Sequence, residues 1–240
     1  MILLMALTVT FACHKDNSPV IPLQEVAGYT CFYDLNGIKS TDNSGITVSL
    51  EGDTVSTITK SDGSWHFSHL KQGIYTIAFS KPGFGTMKIV GANLVGGYRL
   101  FDAIALCPIP LYGTIISNVS INPGNTVHID GDFTGTLPIR PCCHLFFGKT
   151  SDVLSDPENY LQDLPICIPG SFETVFTDQI LRDKGFNSGD SVYVVAYPDF
   201  SVPITYNTWD VAFYYDTYTN IKVYPNLGPN KSSTLSFVLP

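Results

Sequence analysis

The chain has 240 residues, 44% of them hydrophobic and 14% charged, with 20 Gly, 16 Pro, 13 Tyr and 15 Phe. That composition suits one or two β-rich domains and excludes both a helical bundle and a disordered chain. Lys and Arg total 13 against 21 Asp and Glu, for a net charge of −8, and no basic stripe could neutralise successive phosphates, so nucleic acid is not expected as a partner.

Met1 to Ala12 is an uncharged apolar run, shorter than the roughly 20 residues a membrane-crossing helix needs but of signal-peptide length. Ala12-Cys13-His14-Lys15-Asp16-Asn17 follows, a small residue before a cysteine and a polar stretch after it. The segment resembles a bacterial lipoprotein signal, which implies that residues 1–12 are cleaved, that Cys13 is acylated, and that the protein is held on a membrane by its lipid. A secretory signal followed by an unacylated Cys13 is the alternative. Residues 13–24, with Pro19 and Pro22, read as an extended tether.

From Glu25 to about Pro108 short alternating runs are separated by turn chemistry. Asn36-Gly37, Asp62-Gly63, Gln72-Gly73 and Pro82-Gly83 supply the turns. Ile46, Val48 and Leu50 form one apolar face, whereas in Ile74 to Phe79 the alternation fades, as for a strand covered on both sides. Gly28, the Gly45 to Leu50 strand, Asp62-Gly63-Ser64-Trp65-His66-Phe67, Gly73-Ile74-Tyr75-Thr76 and Pro82-Gly83-Phe84 occur in the order of the carboxypeptidase regulatory-like domain. The resemblance covers about a third of the chain and implies a transthyretin-like sandwich. Trp65, Phe67, Tyr75 and Phe84 would be its core anchors, and Gly63 and Gly73 its corners. Domains of this kind are usually non-catalytic appendages of exported proteins. His66 and His69 would face opposite sides of a regular strand, so solvent-facing or structural roles are preferred over zinc. The His-x-x-Glu zinc pair of metallocarboxypeptidases is absent.

Residues 109–240 begin a second series of strands, linked by Asn122-Pro123-Gly124, Asp130-Gly131 and Asn187-Ser188-Gly189-Asp190. Val192 to Tyr197, between a Gly-Asp turn and Pro198, resembles the later core strands of immunoglobulin and fibronectin III-like domains. Thr177 to Gly185 has an N-cap candidate at Thr177 or Asp178 and a closing glycine, which predicts a short helix. Between Pro198 and Asn230 lies a tract dense in aromatics. Trp209, Tyr214, Tyr215 and Tyr218 are its candidate ligand-binding residues, because a ring can stack on a sugar while nearby Asp and Asn bind hydroxyls. Packing of alternate members into the core and against the first module is the preferred reading, with Phe213 and Tyr215 on one face and Tyr214 opposite. Asp130-Gly131-Asp132, Asp152 and Asp156 have calcium-ligand chemistry but miss the closing Glu of the twelve-residue loop, so surface turns are preferred.

Setting Cys13 aside leaves Cys31, Cys107, Cys142, Cys143 and Cys167. An exported compartment favours a disulfide from Cys167 to either Cys142 or Cys143, clamping the loop that contains Pro157 and Pro165. A zinc site from Cys142, Cys143, His144 and Cys167 is the sharper alternative, weakened because adjacent strand residues point apart. No Gly-x-Ser-x-Gly elbow, His-Glu-x-x-His helix, phosphate loop or dinucleotide-binding glycine set is present. The expectation is an all-β protein, two β-sandwich domains in tandem behind a cleaved signal peptide, acting without metal or cofactor as a cell-surface or outer-membrane lipoprotein of Bacteroidetes type. Its role would be a binding or adhesion module for glycan or partner proteins. The alternatives are a hydrolase accessory or a carboxylate-pair glycan hydrolase, and a structural spacer.

Overall fold

The computed structural model describes residues 24–205, 208–211 and 213–240, without the side chains of 201–212. The signal segment, Cys13 and nearly all of the expected tether lie outside the described residues. Gln24, placed at the end of that tether by its sequence, instead opens the first strand and is buried there. Its amide donates to Gly97 O at 2.7 Å and its side-chain oxygen accepts from Gly96 N at 2.8 Å.

The fold is all-β, two sandwiches in tandem. In the first, β1 (Gln24–Phe32) lies between β4 (Ser64–Leu70), antiparallel, and β7 (Gly97–Leu106), parallel. The facing sheet runs in the order β3 (Ser56–Ile58), β2 (Thr47–Leu50), β5 (Gly73–Ser80), β6 (Met87–Leu94). Ile46, Val48 and Leu50 meet Trp65 and Phe67 in the core, and Tyr75 and Phe84 pack against its edge. Ile77, Ala78 and Phe79 are buried in succession, so the faded alternation fits the second half of β5, whereas Ile74 near its start is exposed, contrary to a strand covered on both sides throughout.

Gly63 has φ +82°, and a Cβ on it would stand 2.0 Å from the Thr30 carbonyl oxygen, so only glycine fits that corner. Gly73 is an ordinary strand residue, contrary to expectation; the left-handed position before β5 belongs to His69, at φ 61°. A shift of register between Gln24 and Val26 marks a bulge in β4 at this point. The bulge overturns the strict alternation assumed for this strand, and both His66 and His69 are exposed.

The second sandwich pairs the sheet β12 (Phe172–Thr177), β9 (Thr126–Thr134), β8 (Gly113–Asn122) with the sheet β11 (Gln162–Cys167), β10 (Cys142–Gly148), β13 (Ser191–Asp199), β18 (Leu235–Val238). Asp130-Gly131 is not a turn but the middle of β9. Phe172 crosses there so closely that a Cβ on Gly131 would lie 2.1 Å from the ring, which is what glycine inside a strand often signals. Pro165 likewise stands in β11 rather than in a loop, on the edge of its sheet where the missing N–H is tolerated. The short helix α1 (Gln179–Arg182) falls where predicted, with Asp178 as N-cap. Its carboxylate bonds Arg182 Nε at 2.9 Å rather than capping the backbone.

Every residue of β10 is buried. Cys143, Leu145 and Phe147 face the space between the sheets, while Phe146 belongs to a second cluster with Val153, Val195 and Tyr224. Phe213 and Leu227 pack against that cluster, so the part of the tract from Phe213 to Leu227 forms a third layer over the outer face of the sheet. The regular parts of the tract after Pro198 are two hairpins, β14 (Ser201–Thr205) with β15 (Thr208–Val211) and β16 (Tyr214–Asp216) with β17 (Ile221–Val223). The second hairpin reaches the first sandwich. Thr217 Oγ1 donates to Val90 O at 3.0 Å, and a Cβ on Gly85 would meet the Pro225 carbonyl at 2.6 Å. No helix among the described residues is long and apolar enough to cross a membrane.

Candidate functional site

The structure separates the three aromatic candidates whose side chains it describes. Tyr214 and Tyr218 border a notch of about 260 Å3 between the sandwiches, with Glu51, Lys88 and Asp216. Lys88 Nζ lies 2.6 Å from Glu51 Oε1, a hydrogen bond that raises the lysine pKa. Burial pushes the Tyr214 phenol up. Tyr218, 68% exposed, donates its backbone N–H to Asp216 Oδ1 at 2.9 Å. Tyr215 stands apart, edge-on to Phe213 at 5.3 Å between centroids, as two-residue alternation requires. The Trp209 side chain lies outside the described residues. Tyr214, Tyr215 and Tyr218 therefore do not make a single platform.

A larger recess, about 410 Å3, lies on the outer face of β4–β1–β7. Ala27 is its low floor, because His66 of β4 and Leu100 of β7 flank it in register. Along β1, Tyr29 lies two residues beyond Ala27, and Tyr98 is paired with Glu25 two residues before it, so the two phenol rings stand at opposite ends. Ile58 and Lys60 close the side. Tyr29, Tyr98, Leu100 and Ile58 are 49%, 64%, 58% and 64% exposed, an apolar and aromatic patch rimmed by Lys60 and His66. Sequence reasoning missed this site, although the outward alternation of Glu25, Ala27 and Tyr29 along β1 was available as a signal.

Cys142 and Cys167 are directly opposite on β10 and β11 and are joined by a disulfide, with Cα atoms 4.1 Å apart. Cys143 is a buried free thiol facing the inter-sheet core, and burial raises its pKa. The alternative zinc site is thereby overturned: two of its sulfurs are bonded to each other, and Cys143 and His144 point to opposite faces.

His144 has another role. Its Nδ1 lies 3.0 Å from Asp199 Oδ2 and its Nε2 lies 2.9 Å from Asp163 Oδ2. Tyr224 Oη donates to the same Asp163 oxygen at 2.7 Å, and Asn226 Nδ2 donates to Asp199 Oδ1 at 2.9 Å. The Phe146 ring stacks on the imidazole at 4.7 Å. Burial would depress the His144 pKa, but the two carboxylate hydrogen bonds and their charges outweigh it and raise it. Asp163 is pushed up by burial and drawn down further by His144 and Tyr224, so it is lowered overall. Each ring nitrogen faces a carboxylate oxygen, which can only accept when ionised, so the geometry and the raised pKa both favour a doubly donating imidazolium under the third layer. His144 and Asp199 are fully buried, and the network lines neither the recess nor the notch; its hydrogen bonds tie β10, β11 and β13 to the layer above them.

No protein-family model matches the chain, and no curated protein matches it. Among solved structures, the chain is similar to a DUF3823 family protein from Bacteroides uniformis at 11% identity, over 91% of this chain and 100% of that one, with a TM-score of 0.34. It is similar to a DUF3823 family protein from Parabacteroides merdae at 16% identity, over 74% of this chain and 90% of that one, with a TM-score of 0.26. A chain of a type II cohesin–X-dockerin complex from Acetivibrio cellulolyticus matches 35% of this chain and 58% of its own length, at 23% identity and a TM-score of 0.32. These are loose likenesses of all-β architecture.

Proposed function

We propose that this chain is a non-catalytic binding module of the cell surface or outer membrane, lipid-anchored through Cys13, that takes glycan through the recess on its first sandwich. The recess carries this reading: two exposed tyrosine rings bracket a low floor, with Lys60 and His66 within reach of hydroxyls. Exposed rings of this kind suit the apolar faces of sugars, and polar neighbours set orientation. The organisation into a carboxypeptidase regulatory-like sandwich over 25–108 and an immunoglobulin/fibronectin III-like one over 109–240 belongs to the same proposal.

A glycan array on the soluble form beginning at Ser18, followed by calorimetry on any hit, tests it. Tyr29→Ala and Tyr98→Ala are each expected to weaken binding by about tenfold or more, as for aromatic hot spots, without lowering the melting temperature. Loss on Tyr214→Ala or Tyr218→Ala instead would move the site to the notch between the sandwiches. Turnover of a bound glycan would favour the hydrolase reading, and silence on the array would leave a partner protein or the spacer role. Cys13→Ser is expected to release the protein from the membrane fraction while it stays folded; retention at high salt would refute the anchor.

A further inference from the structure

We propose that His128, Asp130 and Glu173 form a binding site for a divalent transition metal of the zinc type on the outer face of the second sandwich. The site arises from strand register. His128 and Asp130 are two apart on β9 and share a face. Glu173 of β12 is paired directly with Asp130, and Asn118 of β8 is paired with Asp130 on the other side. Asn118 Nδ2 donates to Asp130 Oδ2 at 3.1 Å, which leaves Asp130 Oδ1 turned to the histidine.

Two carboxylates placed directly opposite across neighbouring strands repel each other, and a cation held between them would relieve that repulsion. His128 Nε2 lies 3.1 Å from Asp130 Oδ1 and 3.0 Å from Glu173 Oε1. That nitrogen is shielded from solvent, yet it makes a well-formed hydrogen bond to neither oxygen. Nε2 is directed between the two oxygens rather than at either, the position of a ligand atom facing an ion shared with both carboxylates. The three donor atoms all lie within 4.8 Å of one another. A metal bound at about 2.0–2.2 Å sets neighbouring donors roughly 3.0–3.5 Å apart, whether octahedral or tetrahedral, and both nitrogen-to-oxygen distances fall at that edge length.

One imidazole with two carboxylates favours zinc and its neighbours in the transition series over calcium or magnesium, which prefer oxygen alone. Glu173 is largely exposed, so the outer side of the metal is open to water. Asn118 holds Asp130 in place from the next strand, the part an outer-shell partner plays.

The test is a zinc titration of the untagged, chelator-washed chain by competition with a chromophoric chelator, with cobalt absorption as a second readout of the ligand set. One metal per chain is expected. Because even an outer-shell partner is worth about 10–100-fold in affinity, His128→Ala and the near-isosteric Glu173→Gln should each weaken binding at least that much. His66→Ala, on the other sandwich, should leave it unchanged. Melting curves without metal establish that each variant is folded. The proposal is overturned if the wild-type chain binds no zinc, if both triad variants bind as well as it does, or if His66→Ala abolishes the binding instead.

Discussion

His144→Leu is the most informative single change, because it strips both donors from the buried network while keeping most of the volume. Asp199, fully buried, then retains Phe200 N and Asn226 Nδ2 on Oδ1 but, among the described residues, no partner on Oδ2. Asp163 keeps Tyr224 and is partly exposed, so it suffers less. Removing one partner of a buried ion pair costs about 3–5 kcal/mol, which for a domain of this size lowers the melting temperature by roughly 10–20 °C. Adding Asp199→Asn should recover about 1–3 kcal/mol, since the stranded charge is then gone. The pH dependence has a definite sign. His144 has a raised folded pKa, so its contribution is complete below the ordinary value of 6.5 and is lost as pH rises through the folded value. Asp163 has a lowered folded pKa, so its contribution is present above the ordinary 3.8 and is lost as pH falls through the folded value. Through these two groups, wild-type minus variant stability should therefore be greatest between roughly pH 4 and 6.5 and fall on either side. Urea unfolding followed by circular dichroism across this range measures it. A loss under about 1 kcal/mol for His144→Leu, or no recovery in the double variant, would refute the imidazolium bridge.

Gly63→Ala should destabilise by at least about 1–3 kcal/mol, because it combines a left-handed φ with a Cβ set against the Thr30 carbonyl; thermal melts would show it, and an unchanged melting temperature would contradict the corner geometry. Cys142→Ala removes a cross-link over 25 residues of separation and should cost about 3–4 kcal/mol under oxidising conditions, with dithiothreitol producing a similar loss in the wild type and none in the variant. Tyr218→Ala should stay within about 0.5 kcal/mol, whereas Tyr214→Ala, half-buried against the first sandwich, should cost roughly 1–2 kcal/mol. Equal losses at the two positions in denaturant melts would contradict their different burial.

Local pattern was enough for the all-β class, the two successive sandwiches and the short helix at Gln179–Arg182, since side-chain alternation, turn residues and a cap are encoded within a few positions of one another. Ile46, Val48 and Leu50 could be assigned to a core without knowing what they would meet. Departures from the two-residue period were not legible: the bulge that exposes both His66 and His69 depends on how β4 pairs with β1. The glycine of Asp130-Gly131 read as a turn because its real cause, the ring of Phe172, lies on another strand. The aromatic tract could be seen as aromatic, but only the tertiary structure lays Phe213 and Tyr224 over Phe146 as a third layer and turns Tyr214 toward the first sandwich. The same holds for both charged clusters. His144 finds Asp163 and Asp199 across β11 and β13, and His128 with Asp130 finds Glu173 across β12. A strand's own residues determine which way each side chain points, but which other strand lies beside it is settled by the packing and register of the whole chain.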